Sequence, residues 1–407
     1  MEKETARLGT VGAPRLMAVA ILAVTLVGAG FLRFGGLSAA GPGAPAAVPA
    51  AVPAAASAQQ KAELAALAPG DRPDGCVQPD RRIQLYAVEL PRDNNQIRLG
   101  YGLTPETASY PGPLIEMIEG ECLAITLHND VPAATLEALR QDPSHPLGVS
   151  LHTHGVKYTP ASDGTIHTDS WVPPGGQRTY IWFAKPRNSS TGAQGTAGYW
   201  WYHDHMVGGP HGTRGQGTGL FGGLVVRRQG DIRPNRTYVT AFGDLQSINL
   251  KRGAATDTCD PANPVPGPTC LIAKPGERVE FLVIGMGNDM HTFHLHGHSW
   301  ADTRTGMLDG TNKALADSVP VIDNKALGPG DSFGVTVVAG DSVGAGNWML
   351  HCHMQFHSDQ GMATMLHVLE PDGTLAPHSA DHAPAAAAAA DAADATAAHA
   401  GHQGSHQ

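Results

Sequence analysis

The chain has 407 residues with 27 basic against 37 acidic side chains, a net charge of −10 and no basic block, which excludes recognition of nucleic acid through a basic patch. Fifty glycines, 31 prolines and only 16% charged residues suit a loop-rich β protein, and glycines without a period of three exclude collagen. Once the Ala/Pro-rich ends are set aside, about 300 residues remain, room for two domains of ordinary size.

In chain order, residues 16–32 form an uninterrupted apolar run preceded by Lys3, Arg7 and Arg15. This pattern predicts a secretory signal peptide or an uncleaved membrane anchor within residues 1–38, and either places the folded part outside the cytoplasm. Residues 39–76 read as an Ala/Pro-rich linker. Alternating runs follow at Ile83–Val88, Cys122–Leu127, Thr179–Phe183, Gly223–Val226, Val279–Ile284 and Phe333–Val338. Gly, Pro, Asn and Asp separate them, the signature of sandwiches built from many short strands. The polar stretch Arg228–Arg236, with Pro234, marks a boundary between a first domain at 77–228 and a second at 236–370. Residues 371–407 read as a disordered tail rich in Ala, with His378, His382, His399, His402 and His406.

Of the five cysteines, Cys352 lies between two histidines. The other four, Cys76, Cys122, Cys259 and Cys270, suit two disulfides in an exported protein. Three pairings are open. Cys259 and Cys270 flank one Pro/Gly-rich loop and make the natural pair, and closing such a loop stabilises by roughly 3 kcal/mol.

The histidines carry the chemistry. Four clusters stand out: His152-Thr153-His154, His203-Asp204-His205, His291 with His294 and His296, and His351-Cys352-His353 followed by His357 and Met362. On a strand each His-x-His places two imidazoles on one face. His291 has the opposite parity to His294 and His296, and Cys352 the opposite parity to His351 and His353. Parity therefore sorts the ligands into two sites. Cys352, His291, His357 and Met362 form a thiolate–imidazole–thioether set suited to a blue-copper centre. The eight same-face imidazoles exceed what one ion can use and fit about three ions with open positions. Zinc is the rival metal in principle, but the adjacent Cys-His-His-Met set favours copper.

The segments LHTHG (151–155), GTAGYWWYHDH (195–205), HTFHLHGHSWADTRTG (291–306), VIDNK (321–325) and NWMLHCHMQFHSDQGM (347–362) resemble the multicopper oxidases, most closely the two-domain bacterial (small) laccases, over roughly residues 85–370. The resemblance implies an all-β fold of two cupredoxin-like Greek-key β-sandwich domains. It implies four coppers per chain: a type 1 ion on His291, Cys352, His357 and Met362, a type 2 ion on His152 and His294, and two type 3 ions. One type 3 ion would take His154, His203 and His353, the other His205, His296 and His351. It further implies one-electron oxidation of phenols, aromatic amines or metal ions coupled to four-electron reduction of O2 to water. Asp163 and Asp323 match its acidic proton-supplying positions, and Tyr158 a tyrosine beside the type 2 ion. His203-Asp204-His205 lacks a cysteine, so one blue copper per chain is expected, in the second domain. With no middle domain, the trinuclear site is expected between subunits of a homotrimer. A cuprous or ferrous ion oxidase is the alternative. A copper nitrite reductase and a copper-sequestering protein fit the four complete His pairs less well.

Overall fold

The computed structural model describes residues 71–307 and 318–377. The apolar run 16–32, the linker up to residue 70 and the tail histidines lie outside the described residues. Among the described residues no helix is long and apolar enough to cross a membrane.

The first half contains β1 (Arg81–Asp93), β2 (Gln96–Gly102), β3 (Gly112–Ile118), β4 (Cys122–Asn129), β5 (His152–Thr153), β6 (Gln177–Phe183), β7 (Gly198–His203) and β8 (Phe221–Arg227). The second contains β9 (Arg236–Gly243), β10 (Ser247–Ile248), β11 (Leu271–Ala273), β12 (Arg278–Gly285), β13 (His291–Leu295), β14 (Trp300–Ala301), β15 (Val321–Ile322), β16 (Asn324–Leu327), β17 (Ser332–Val338), β18 (Gly346–Cys352) and β19 (Ala363–Val368). Among the described residues three short α-helices join them: α1 (Ala133–Leu139), α2 (Thr213–Thr218) and α3 (Gln355–Asp359). All six alternating runs read from the sequence fall inside strands.

The two halves repeat one topology. Sheet order β2-β1-β4-β6 in the first matches β10-β9-β12-β17 in the second, and β3-β8-β7-β5 matches β11-β19-β18-β13, which β16 extends. The parallel pairs correspond as well, β1 with β4 as β9 with β12, and β3 with β8 as β11 with β19. Each half is a cupredoxin-like β-sandwich. Consequently β5 and β7 of the first half hold the places of β13 and β18 in the second, and all four carry histidines.

Period-2 alternation builds three apolar layers. Leu123, Ile125 and Leu127 of β4 enter the first core, whereas Cys122 and Ala124 face a smaller cluster with Cys76, Ile181 and Phe183. Val279, Phe281 and Val283 of β12 enter the second core. The other face of β12, Leu282 and Ile284, meets Phe221 and Val225 of β8 in a layer between the sandwiches. The same parity sends Glu280 and Arg227 into that layer, where they are 1% and 3% exposed. Glu280 accepts two bonds from the Arg227 guanidinium, at 2.8 and 3.0 Å, one from the Tyr199 hydroxyl at 2.7 Å and one from Thr237 at 2.9 Å. A buried carboxylate so fully paired ties the two halves together. Disulfides join Cys76 to Cys122 and Cys259 to Cys270.

Candidate metal centre

The strand ends assemble two similar histidine quartets. In the first half, His152 on β5 pairs in register with His203 on β7. In the second, His294 on β13 pairs with His351 on β18. The second histidine of each His-x-His lies just beyond the short strand and is held by the same backbone bond. His154 N–H donates to Trp201 C=O at 3.0 Å, and His296 N–H to Met349 C=O at 2.9 Å. A glycine at positive φ follows each pair, Gly155 and Gly297. A Cβ there would stand 2.1 Å from the Trp200 ring or 2.5 Å from the Trp348 ring, so only glycine lets the chain turn under the indole.

Within the first quartet the His152 ring lies 5.2–5.4 Å from those of His154, His203 and His205. Within the second, the His294 ring lies 5.0–5.1 Å from those of His296, His351 and His353. Two imidazole pairs approach through Nε2: His154 with His203 at 3.2 Å and His296 with His351 at 3.1 Å. Among the described residues no ring contact joins one quartet to the other. His296 and His353 are exposed in the single chain.

Backbone carbonyls fix the tautomers. The Nδ1–H of His152 donates to Asp163 C=O at 2.6 Å, and that of His294 to Asp323 C=O at 2.8 Å. Likewise His203 Nδ1–H reaches Asp204 C=O at 2.8 Å and His351 Nδ1–H reaches Cys352 C=O at 2.9 Å. Each of these four imidazoles then presents a bare Nε2 lone pair, the arrangement a metal-binding histidine needs. Burial, with neighbouring imidazoles adding to it, pushes His154 down to about 4 and His203 well below the usual histidine range. Burial also lowers His205, His296 and His351. These five imidazoles are therefore held neutral near pH 7 and free to ligate.

The third site is deeper. Cys352 is fully buried, across the ladder from Phe293 and pointing away from the quartet, as parity requires. Its Sγ lies 3.4 Å from His357 Nδ1 and 3.9 Å from His291 Nδ1. His291 is pushed down to about 4, by burial first and then by His357, while Asp289 and Asp244 act against the shift. Among the described residues its Nε2 is buried without a partner. Met362 is fully buried in the same cluster, and its C=O accepts from Cys352 N–H at 3.1 Å. A buried thiol facing two imidazoles, with a thioether residue alongside, fits a blue-copper ion by donor chemistry. The oxygen-free quartets fit copper equally well. A further grouping, Asp257, Cys259 and His367, has its sulfur consumed in the Cys259–Cys270 disulfide.

Of the three proposed auxiliary groups, Tyr158 and Asp163 come together beside His152. The rings of His152 and Tyr158 are 5.9 Å apart, and a carboxylate oxygen of Asp163 lies 3.6 Å from His152 Nδ1. Burial first, and then Asp163, raises the Tyr158 hydroxyl above its ordinary value. The Asp323 side chain is exposed, and it is this residue's backbone carbonyl that touches His294. Sequence reasoning gave no role to Trp201, whose indole stacks on both His154 and His203 with centroids at 4.9 and 4.3 Å. Nor did it find the buried His298, whose Nδ1–H holds the His296 carbonyl at 3.0 Å. The motif HLHGH was the only available signal for His298.

Two multicopper oxidase family models match the chain, one over residues 107–231 and the other over 238–372. Among curated relatives, a protein of Kuenenia stuttgartiensis named probable nitrite reductase-hydroxylamine oxidoreductase fusion protein is 33% identical over 277 residues, 65% of this chain and 28% of its own length. Ferroxidase HEPHL1 of Homo sapiens is 24% identical over 322 residues, 68% of this chain and 23% of that protein. Laccase-6 of Arabidopsis thaliana is 29% identical over 146 residues, 34% of this chain and 25% of that protein. The chain thus spans less than a third of the length of these relatives. Two family models covering both sandwiches, on a fold that converges histidines and one buried cysteine at copper-compatible sites, show that the chain belongs to the multicopper oxidases, a family of oxidoreductases.

Proposed function

We propose that the protein is a laccase-like oxidase that withdraws single electrons from phenols or aromatic amines and passes them to O2. The observation that carries this reading is the placement of Cys352, its sulfur against His291 and His357 and its backbone bonded to His351 and His353. In this reading Cys352, His291, His357 and Met362 hold the type 1 copper. His152 and His294 hold type 2. His154, His203 and His353 hold one type 3 ion, and His205, His296 and His351 the other. Bound at these positions, copper would supply one-electron oxidation at the first site and four-electron reduction of O2 to water at the other. The protein's own part is to hold the buried imidazoles neutral, to fix the tautomers of His152, His203, His294 and His351, and to release the Cys352 proton when the metal enters. The main chain from Cys352 to either neighbour is a one-residue covalent link between the two sites. Asp163, near His152 Nδ1, and Asp323 would hold protons at their carboxylate oxygens, and Tyr158 would act beside the type 2 position as a redox partner.

The sandwiches at 77–228 and 236–370 each contribute one quartet. Separate quartets with exposed His296 and His353 support completion by a neighbouring chain. Such a head-to-tail contact must close into a ring, and we assign a homotrimer. Two disulfides support a location outside the cytoplasm, secreted or anchored to the cell envelope. A second reading, oxidation of cuprous or ferrous ions, is favoured by Asp244 and Asp289 acting on His291, with Met290 exposed beside it.

Oxygen uptake by the copper-loaded protein distinguishes these readings. The expected result is O2 consumption with a phenol at four donor equivalents per O2, faster than with ferrous ion at equal concentration. Preference for ferrous or cuprous ion would establish the second reading. Reduction of nitrite with no O2 uptake would overturn both.

A further inference from the structure

Asp204 is the middle residue of His203-Asp204-His205 and has no part in the ligand set above. It is fully buried, and among the described residues no cation pairs with it. Backbone N–H groups bond it instead: Ser150 N–H donates to Oδ1 at 2.8 Å, and Met206 and Val207 N–H donate to Oδ2 at 2.9 and 2.6 Å. Burial pushes the carboxyl group up to about 7 against these bonds. Sequestering a carboxylate this way is costly unless its oxygens are fully used.

The repeated topology gives this carboxylate a counterpart. β7 holds the place of β18, so Asp204 follows His203 as Cys352 follows His351. Two residues before His152 stands Ser150, whose N–H points at the Asp204 carboxylate. Two residues before His294 stands Thr292, whose N–H points at Cys352 Sγ at 3.4 Å. The carboxylate therefore occupies, in the first sandwich, the position of the blue-copper sulfur in the second.

Its bonds lead directly to the quartet. The carbonyl of Asp204 fixes His203 Nδ1–H at 2.8 Å. Ser150 Oγ, which bonds the carboxylate, also accepts His205 N–H at 2.8 Å. The helix α2 closes over the group so tightly that a Cβ on Gly215 would lie 2.2 Å from Asp204 Oδ2. There is no room for a longer side chain, and an amide would turn an NH2 toward one set of N–H donors.

We propose that Asp204 is the positioning residue of the first quartet: a buried carboxyl group that holds the turn after His203 and, through Ser150, the backbone of His205, standing where the second sandwich places the Cys352 sulfur. The inference rests on the copper reading above. It concerns the quartet alone, so the blue centre of the second sandwich is an internal control.

Two variants test it, Asp204→Asn and Ser150→Ala, the second keeping the carboxylate and removing only the hydroxyl link to His205. Each is titrated with copper, scored for copper per chain, blue absorption and the paramagnetic resonance of the remaining copper. Asp204→Asn should weaken quartet copper by about 10- to 100-fold, the range for losing a ligand's hydrogen-bond partner, with the blue band unchanged. Ser150→Ala should shift quartet binding in the same direction by less, at an unchanged melting temperature. If Asp204→Asn fails to fold, the Ser150→Ala titration decides. Wild-type affinity and stoichiometry in the variants that fold would overturn the proposal while leaving the copper reading intact. A wild-type chain that holds blue copper but none at the quartets would overturn both.

Discussion

Replacing Cys352 by serine should bleach the protein and abolish oxidation of every one-electron donor while leaving most of the remaining copper bound. The sulfur is fully buried between His291 and His357, and serine offers a hard, short oxygen in its place. His351 and His353 point away from Cys352, and His152, His203, His294 and His351 keep their carbonyl partners, so quartet binding should survive. The loss of turnover should exceed the roughly 10- to 100-fold cost of removing a mere hydrogen-bond partner of a ligand, because the variant removes the ligand itself. Copper per chain should fall by one. Full phenol oxidase activity in a colourless variant would show that electrons do not pass through this residue.

The second large effect concerns stability. Glu280→Ala leaves the Arg227 guanidinium buried with Glu116 as its remaining carboxylate and strands the Tyr199 and Thr237 hydroxyls. Breaking a buried pair from one side costs about 3–5 kcal/mol. Glu116, 2.5 Å from Arg227, should hold the loss toward the lower end. Urea unfolding of the metal-free protein followed by fluorescence measures it. Arg227→Leu combined with Glu280→Leu should recover much of the loss, since the surrounding layer of Phe221, Val225, Leu282 and Ile284 is apolar. A loss under about 1 kcal/mol in Glu280→Ala would mean that the apolar layer alone holds the halves together.

Much of this architecture was legible because strands alternate. The six runs that fall inside strands are long enough for period 2 to show, and the same periodicity separates Cys352 from His351 and His353. The first quartet was legible only as a motif, since β5 is two residues long and carries no pattern of its own. Backbone roles were invisible: Asp163 and Asp323 attract notice by their carboxylates, yet their carbonyls are what touch His152 and His294. The Glu280–Arg227 pair was hidden for a related reason. A charged residue within an alternating run reads as solvent-facing, and only the packing of β8 against β12 buries it. Likewise, three cysteine pairings stayed open until Cys122, at the start of β4, was seen beside Cys76.

Two chains are proposed to complete each oxygen-reducing site. Complementation tests it most directly. His203→Ala disables the first quartet and His351→Ala the second, and each variant alone should be inactive. Coexpressed, the two should form mixed trimers in which an intact first quartet of one chain meets an intact second quartet of another. Copper-dependent O2 uptake should return in the mixture, in proportion to the mixed trimers present. Mixed trimers that form and stay inactive would contradict it and place both quartets of each site in one chain.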